Sequence, residues 1–111
     1  MRKFAACAVL ALVFSTFIHQ AAGAFPGSQY MSNGTWCRTW FGKPHEHWGD
    51  SLGKKSQQEA YEYAVRNWSA FVALEYGRKY ADFGLALKKH VDCKDDHGAW
   101  GCMIKAQACR H

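Results

Sequence analysis

No apolar run in this 111-residue sequence is long enough to stay in a membrane as a helical span. The one extended apolar stretch, Phe4 to Ile18, covers about fifteen residues, against the roughly 20 a bilayer requires. Ser15 and Thr16 interrupt it. The sequence also lacks internal repeats, low-complexity tracts and any linker long enough to separate domains, so a single domain is expected. No G-x-S-x-G, H-E-x-x-H or glycine-rich phosphate loop is present, which removes the motif basis for a serine hydrolase, a zinc peptidase or a nucleotide-binding enzyme. Acid–base catalysis needs a carboxylate or histidine desolvated in a cleft. Glu46, Glu75, Asp95 and Asp96 are the available acids, and only Glu75, between Leu74 and Tyr76, has apolar sequence neighbours on both sides.

The amino terminus has the order of an export signal: Arg2 and Lys3, the short apolar run, then the small residues Ala22-Gly23-Ala24. Cleavage after Ala24 takes Cys7 and His19 with the leader and leaves 87 of the 111 residues, Phe25 to His111. The fourteen basic residues become twelve against nine acidic ones, a net charge of +3. The basic residues are scattered, adjacent only at Lys54-Lys55, Arg78-Lys79 and Lys88-Lys89. That pattern excludes a specific nucleic-acid footprint and permits weak, salt-sensitive association with anionic surfaces. Four cysteines remain: Cys37, Cys93, Cys102 and Cys109. In a short exported chain they imply two disulfides with three possible pairings. A domain of this size buries little surface, so crosslinks worth about 2–4 kcal/mol each matter, and no free thiol is left as a nucleophile.

Periodicity supplies the architecture. Residues 25–34 read as a flexible N-terminal arm, with residues 35–111 as the domain. Thr35 to Phe41 alternates, with Trp36, Arg38 and Trp40 on one side and Cys37, Thr39 and Phe41 on the other, as in a short strand. Gly42 to Gly53, with Pro44 and three glycines, reads as loop. Ser56 and Glu59 have capping-box spacing, and apolar residues recur at Tyr61, Val65, Trp68, Val72 and Tyr76 with Ala64 and Phe71 widening the stripe. Gly77 suits the left-handed residue after a helix. A helix from Gln57 to Tyr76 would be about 30 Å long, enough to span the domain. Tyr80, Phe83, Leu85 and Leu87 suggest one or two helical turns. Ala86–Lys94 and Ala99–Cys109 then flank Asp95-Asp96-His97-Gly98, a hairpin signal. Trp100, Cys102, Ile104 and Ala106 would share the face toward the helix, with Met103, Lys105 and Gln107 opposite. Trp68, Phe71, Tyr76, Phe83 and Trp100 have the spacing of core residues. Cys93 would face Cys102 across the hairpin, which favours Cys93–Cys102 and Cys37–Cys109, with Cys93–Cys109 as the competing pair. The expected fold class is α+β: one long amphipathic helix on a small antiparallel sheet made of the C-terminal hairpin and a possible N-terminal strand, held by two disulfides.

Trp68, Tyr76-Gly77, Tyr80-Ala81, Cys93, Trp100-x-Cys102 and Ala106-x-x-Cys109 resemble the pattern of small uncharacterised secreted or periplasmic proteins of alphaproteobacteria. The resemblance covers Ser56 to Cys109. It implies an exported scaffold, and no activity, since the shared positions are core aromatics and cysteines. Proline often precedes the last cysteine in that pattern, where this chain has Ala108, and Cys37 falls outside it. The sequons Asn33-Gly34-Thr35 and Asn67-Trp68-Ser69 would go unused in a bacterial source.

Two regions carry the remaining chemistry. His45-Glu46-His47 places two imidazoles on the same side of an extended segment, where zinc or copper would accept them, with Asp50, His97 or His111 completing the site. Otherwise no cofactor is implied. Trp36, Arg38, Trp40 and Trp48 form an aromatic and cationic group that could stack on a sugar, a lipid headgroup or a partner's apolar patch, or else cover the helix. The expected role is a non-catalytic interaction module of the envelope or extracellular space whose partner is a protein, glycan or envelope component. The rival classes are a small secreted hydrolase and a metal-binding protein using His45 and His47.

Overall fold

The computed structural model describes residues 27–111; the leader assigned to residues 1–24, with Cys7 and His19, lies outside the described residues. In chain order the elements are β1 (Gly27–Tyr30), β2 (Trp36–Trp40), β3 (Lys43–Pro44), β4 (Glu46–Lys54), α1 (Gln57–Tyr76), two 3₁₀ turns (Arg78–Tyr80 and Phe83–Leu85), β5 (Leu87–Asp96), β6 (Ala99–Gln107) and β7 (Cys109–Arg110). The class is α+β: among the described residues, one α-helix packs on antiparallel sheets.

Helix α1 occupies the span its periodicity predicts. Ser56 Oγ accepts the Glu59 N–H at 3.1 Å. Glu59 reaches back one residue further than in a reciprocal capping box, its carboxylate accepting the Lys55 N–H at 3.0 Å. Gly77, at φ 96°, ends the helix, and its N–H bonds to the Ala73 carbonyl at 3.0 Å. The buried row is Ala60, Ala64, Trp68 and Val72, flanked by half-buried Tyr61, Val65 and Tyr76. Phe71, expected in the core, is instead 54% exposed. A row spaced by four advances around a helix of 3.6 residues per turn. By its last turns the sheet-facing side has therefore rotated onto Val72 and Tyr76, away from Phe71.

The strands form two sheets. One has the order β4-β6-β5, so the last long strand lies in the middle, paired with both neighbours. Ile104, Cys102 and Ala106 on β6 face α1 as the alternation predicts, and Trp68 Nε1 donates to the Ala106 carbonyl at 3.2 Å. The β5–β6 turn places His97 and Gly98 at φ 53° and 84°, and the Gly98 N–H is held by the Asp95 carboxylate at 2.7 Å. Two successive positive φ values are what a two-residue hairpin needs. The second sheet joins β2 to β1, β3 and β7. After β6 the chain steps through Ala108 and enters that second sheet as β7, so one run of sequence serves both. Gln107, fully buried, helps tie the two sheets together, its Nε2 donating to the Arg38 carbonyl at 2.8 Å. The disulfides are Cys37–Cys109, across β2 and β7, and Cys93–Cys102, across the hairpin.

Besides that of Phe71, three expectations are corrected. The N-terminal arm is not wholly irregular, because Gly27–Tyr30 pairs antiparallel with Trp36–Thr39 of β2. Phe41 does not continue β2: at φ 50°, with Gly42 at 77°, it forms the turn into β3. The segment Gly42–Gly53, expected as loop, contains most of the nine-residue strand β4. Its glycines mislead because they serve packing and a bulge instead of turns. A Cβ on Gly49 would lie 2.4 Å from the Ala64 carbonyl oxygen and 2.7 Å from Trp68 Cβ, so glycine is what lets the helix cross this strand. Gly53, at φ 68°, sits where the β4–β6 register shifts between Ser51 and Lys54. Beside Gly49, Ser51 Oγ donates to the Ala60 carbonyl at 2.6 Å and accepts the Cys102 N–H at 3.2 Å, joining helix, β4 and β6 through one hydroxyl.

Candidate functional site

Two places on this scaffold concentrate chemistry. The first lies where the start of β4 meets the end of α1. His45 follows β3, and His47 sits on β4 opposite Ala106, on the face turned toward the helix. Their rings are edge to face, 4.7 Å between centroids, so the H-x-H spacing does bring them together. The helix then supplies Glu75 and Tyr76 from its last turn. His47 Nε2 meets the Glu75 carboxylate, and His45 Nδ1 meets the Tyr76 hydroxyl. One ligand atom from each of His45, His47 and Glu75 lies within 4.8 Å of the others. The His47 side chain is 10% exposed and its Nδ1 is buried without a hydrogen-bond partner among the described residues, whereas Glu75 remains 45% exposed. Burial, then the neighbouring His47 and, more weakly, Arg38 hold the His45 pKa below its ordinary value, while Glu75 opposes them. A neutral imidazole with a free lone pair is the form that ligates metal.

The residues expected to complete this site do not. Asp50 shares β4 with His47 but has the opposite parity, so it points to the other face of the sheet, where it is exposed. His97 occupies the hairpin turn, its side chain 98% exposed. His111 is the exposed terminal residue. Glu75 takes their place from 28 positions away in sequence. Its apolar sequence neighbours mark it as unusual, but nothing local ties it to the histidines.

The Trp36–Arg38–Trp40 rungs share a face of β2 as expected, but they do not form a continuous stacking surface. Trp36 packs edge-on against Tyr30 at 5.3 Å, and Trp40 against Phe41 at 5.3 Å and His45 at 5.7 Å. Arg38 lies between the tyrosines, 4.4 Å from the Tyr76 ring centre and 5.6 Å from that of Tyr80, and it donates to Ser28 Oγ at 3.3 Å. Arg110 Nε donates to the Tyr80 hydroxyl at 3.2 Å, and that hydroxyl also bonds Ser28 Oγ at 2.9 Å. Burial would raise the Tyr80 pKa, but its hydrogen bonds to Ser28, Arg110 and Arg38 outweigh it and hold the value below 10. Arg38 therefore acts as a packing cation. Trp48 belongs to the other sheet, with Lys105 Nζ 5.0 Å from its ring centre.

The second place is the outward face of the β4-β6-β5 sheet. Trp48, Leu52 and Met103 are 56%, 82% and 50% exposed there. Gly101, without a side chain, opens a groove of about 520 Å³ in front of Leu52 and Met103. Asp50, Asp92 and Asp96 line it against a single ammonium, Lys94, which reaches Asp92 at 3.8 Å. The sequence alternation places Met103 and Lys105 outward, but the acidic lining depends on β5 and β4 flanking β6.

No family model matches the chain, and comparison with curated proteins and with solved structures finds nothing similar. The class that fold and crosslinks define is a small, doubly disulfide-linked α+β protein. Two disulfides fit an oxidising compartment. No helix among the described residues is long and apolar enough to cross a membrane.

Proposed function

We propose that this protein is a small exported, non-catalytic binding module of the envelope or extracellular space. Its partner is a cationic polypeptide segment that carries apolar side chains. The leader pattern and the two disulfides support export. The observation that carries the binding role is the acidic, apolar-floored groove on the outward sheet face. A chain with more basic than acidic residues nonetheless puts three carboxylates against one ammonium around exposed Leu52 and Met103. An exposed apolar floor favours burial, and the charge excess selects the sign of what is buried.

The test is isothermal titration of the disulfide-intact protein with an alternating Lys–Leu hexapeptide and its Glu–Leu counterpart. The cationic peptide should bind, and Asp50→Asn with Asp92→Asn should weaken it roughly fivefold, as about 1 kcal/mol of exposed charge pairing implies. Equal binding of both peptides, or of neither, refutes the reading. Binding of a neutral oligosaccharide that survives the charge removal would reassign the groove to glycans.

A further inference from the structure

We infer that His45, His47 and Glu75 form a binding site for a divalent transition-metal ion of the zinc or copper(II) kind, on a different region of the molecule from the acidic groove. Two features carry this. The donor set, two imidazoles and a carboxylate, is one that such ions accept and that leaves a position open for water or another ligand. The donors converge from two elements whose relation is fixed. His45 and His47 stand on adjoining extended backbone, and Glu75 stands on the last turn of a helix locked to β4 at Gly49 and through the Ser51 hydroxyl.

The ligand atoms lie within 4.8 Å of one another. A tetrahedral ion with bonds of about 2.0–2.2 Å draws its ligands to roughly 3.4 Å apart. His47 Nε2 and the Glu75 carboxylate already touch, so seating an ion between them means opening that pair, which rotation of the half-exposed Glu75 side chain provides. The Tyr76 hydroxyl, already against His45, orients that imidazole or stands beside the ion, and Trp40 closes one side of the His45 ring. Hard ions such as magnesium and calcium prefer oxygen donors and should be rejected.

The experiment is isothermal titration of the untagged, disulfide-intact protein with zinc chloride, copper(II) chloride and magnesium chloride, paired with melting curves in the same salts. One zinc or copper ion per chain should bind, and the melting temperature should rise with metal concentration as mass action requires. His45→Ala with His47→Ala should abolish the site. Glu75→Gln, which keeps the side-chain shape, should weaken binding by more than the ~10- to 100-fold that loss of an outer-shell partner costs. His97→Ala with His111→Ala should leave affinity within about twofold, showing that the exposed histidines are not responsible. Affinity unchanged in the His45/His47 variant or in Glu75→Gln, or magnesium binding as tight as zinc, overturns the assignment. If the double alanine variant does not fold, Glu75→Gln alone decides.

Discussion

The two disulfides should differ in worth, and the difference can be worked from the chain lengths they close. Cys37–Cys109 spans 72 residues and Cys93–Cys102 spans 9. Closing a loop removes conformational entropy from the unfolded chain in proportion to the logarithm of its length, which gives about 4.4 kcal/mol for the long loop and about 2.6 kcal/mol for the short one at 25 °C. Burial acts in the same direction. Cys37 and Cys109 are both fully buried, whereas in the other pair Cys102 is buried and Cys93 is half exposed. Against a total stability of about 5–15 kcal/mol, the long crosslink is a large fraction and the short one a smaller one. With a melting shift of about 4–8 °C per kcal/mol for a domain this size, Cys93→Ala/Cys102→Ala should melt roughly 10–20 °C lower. Cys37→Ala/Cys109→Ala should melt lower still, or be unfolded at room temperature. Thermal unfolding followed by near-ultraviolet circular dichroism reads both. Equal losses, or a greater loss from the hairpin pair, would refute the loop-entropy reasoning. A melting temperature unchanged on full reduction would refute the crosslinked picture itself.

Other outcomes follow from particular contacts. Gly49→Ala should destabilise by about 1–3 kcal/mol, because the added methyl meets the helix backbone and no flexible side chain can yield; a melting temperature indistinguishable from that of the parent would contradict that close approach. Ser51→Ala should cost about 1–3 kcal/mol, since it strips a partner from both the Ala60 carbonyl and the Cys102 N–H; denaturant melts showing no loss would mean that water replaces the hydroxyl. Because burial, with the nearby His47 and Arg38, depresses the His45 pKa below 6.5, the folded state disfavours its proton. Its contribution to stability is full above pH 6.5 and is lost as pH falls through the folded value. In chelator, His45→Gln should therefore flatten the stability loss that sets in as pH falls below 6.5, and an unchanged slope would remove the effect.

Much of the fold can be read from spacing alone. The apolar recurrence from Tyr61 to Tyr76, bounded by Ser56 and Gly77, defines α1 at both ends because capping and periodicity are local properties of the backbone. The alternation of Cys102, Ile104 and Ala106 against Met103 and Lys105 shows in the same way which face of β6 is buried. Both disulfide pairs are favoured by the sequence, one from hairpin proximity and the other from the two cysteines that remain. By contrast, β4 looks like loop because its glycines have no local meaning. Gly49 is explained only by the helix that crosses it, and that helix lies later in the chain.

The candidate site divides along the same line. That His45 and His47 face one side follows from the period of an extended strand, and no tertiary contact is needed to know it. That Glu75 and Tyr76 meet them, while Asp50 turns away and His97 and His111 stand in solvent, depends on where a 20-residue helix ends once it is locked across β4. The Trp36–Arg38–Trp40 rungs likewise share a face by sequence, but only packing against Tyr76 and Tyr80 makes Arg38 a half-buried packing cation. Local order thus follows from short-range sterics and hydrogen bonding written residue by residue. The meeting of side chains 28 positions apart arises from burying one helix stripe on one sheet face, a global condition that no short stretch of sequence contains.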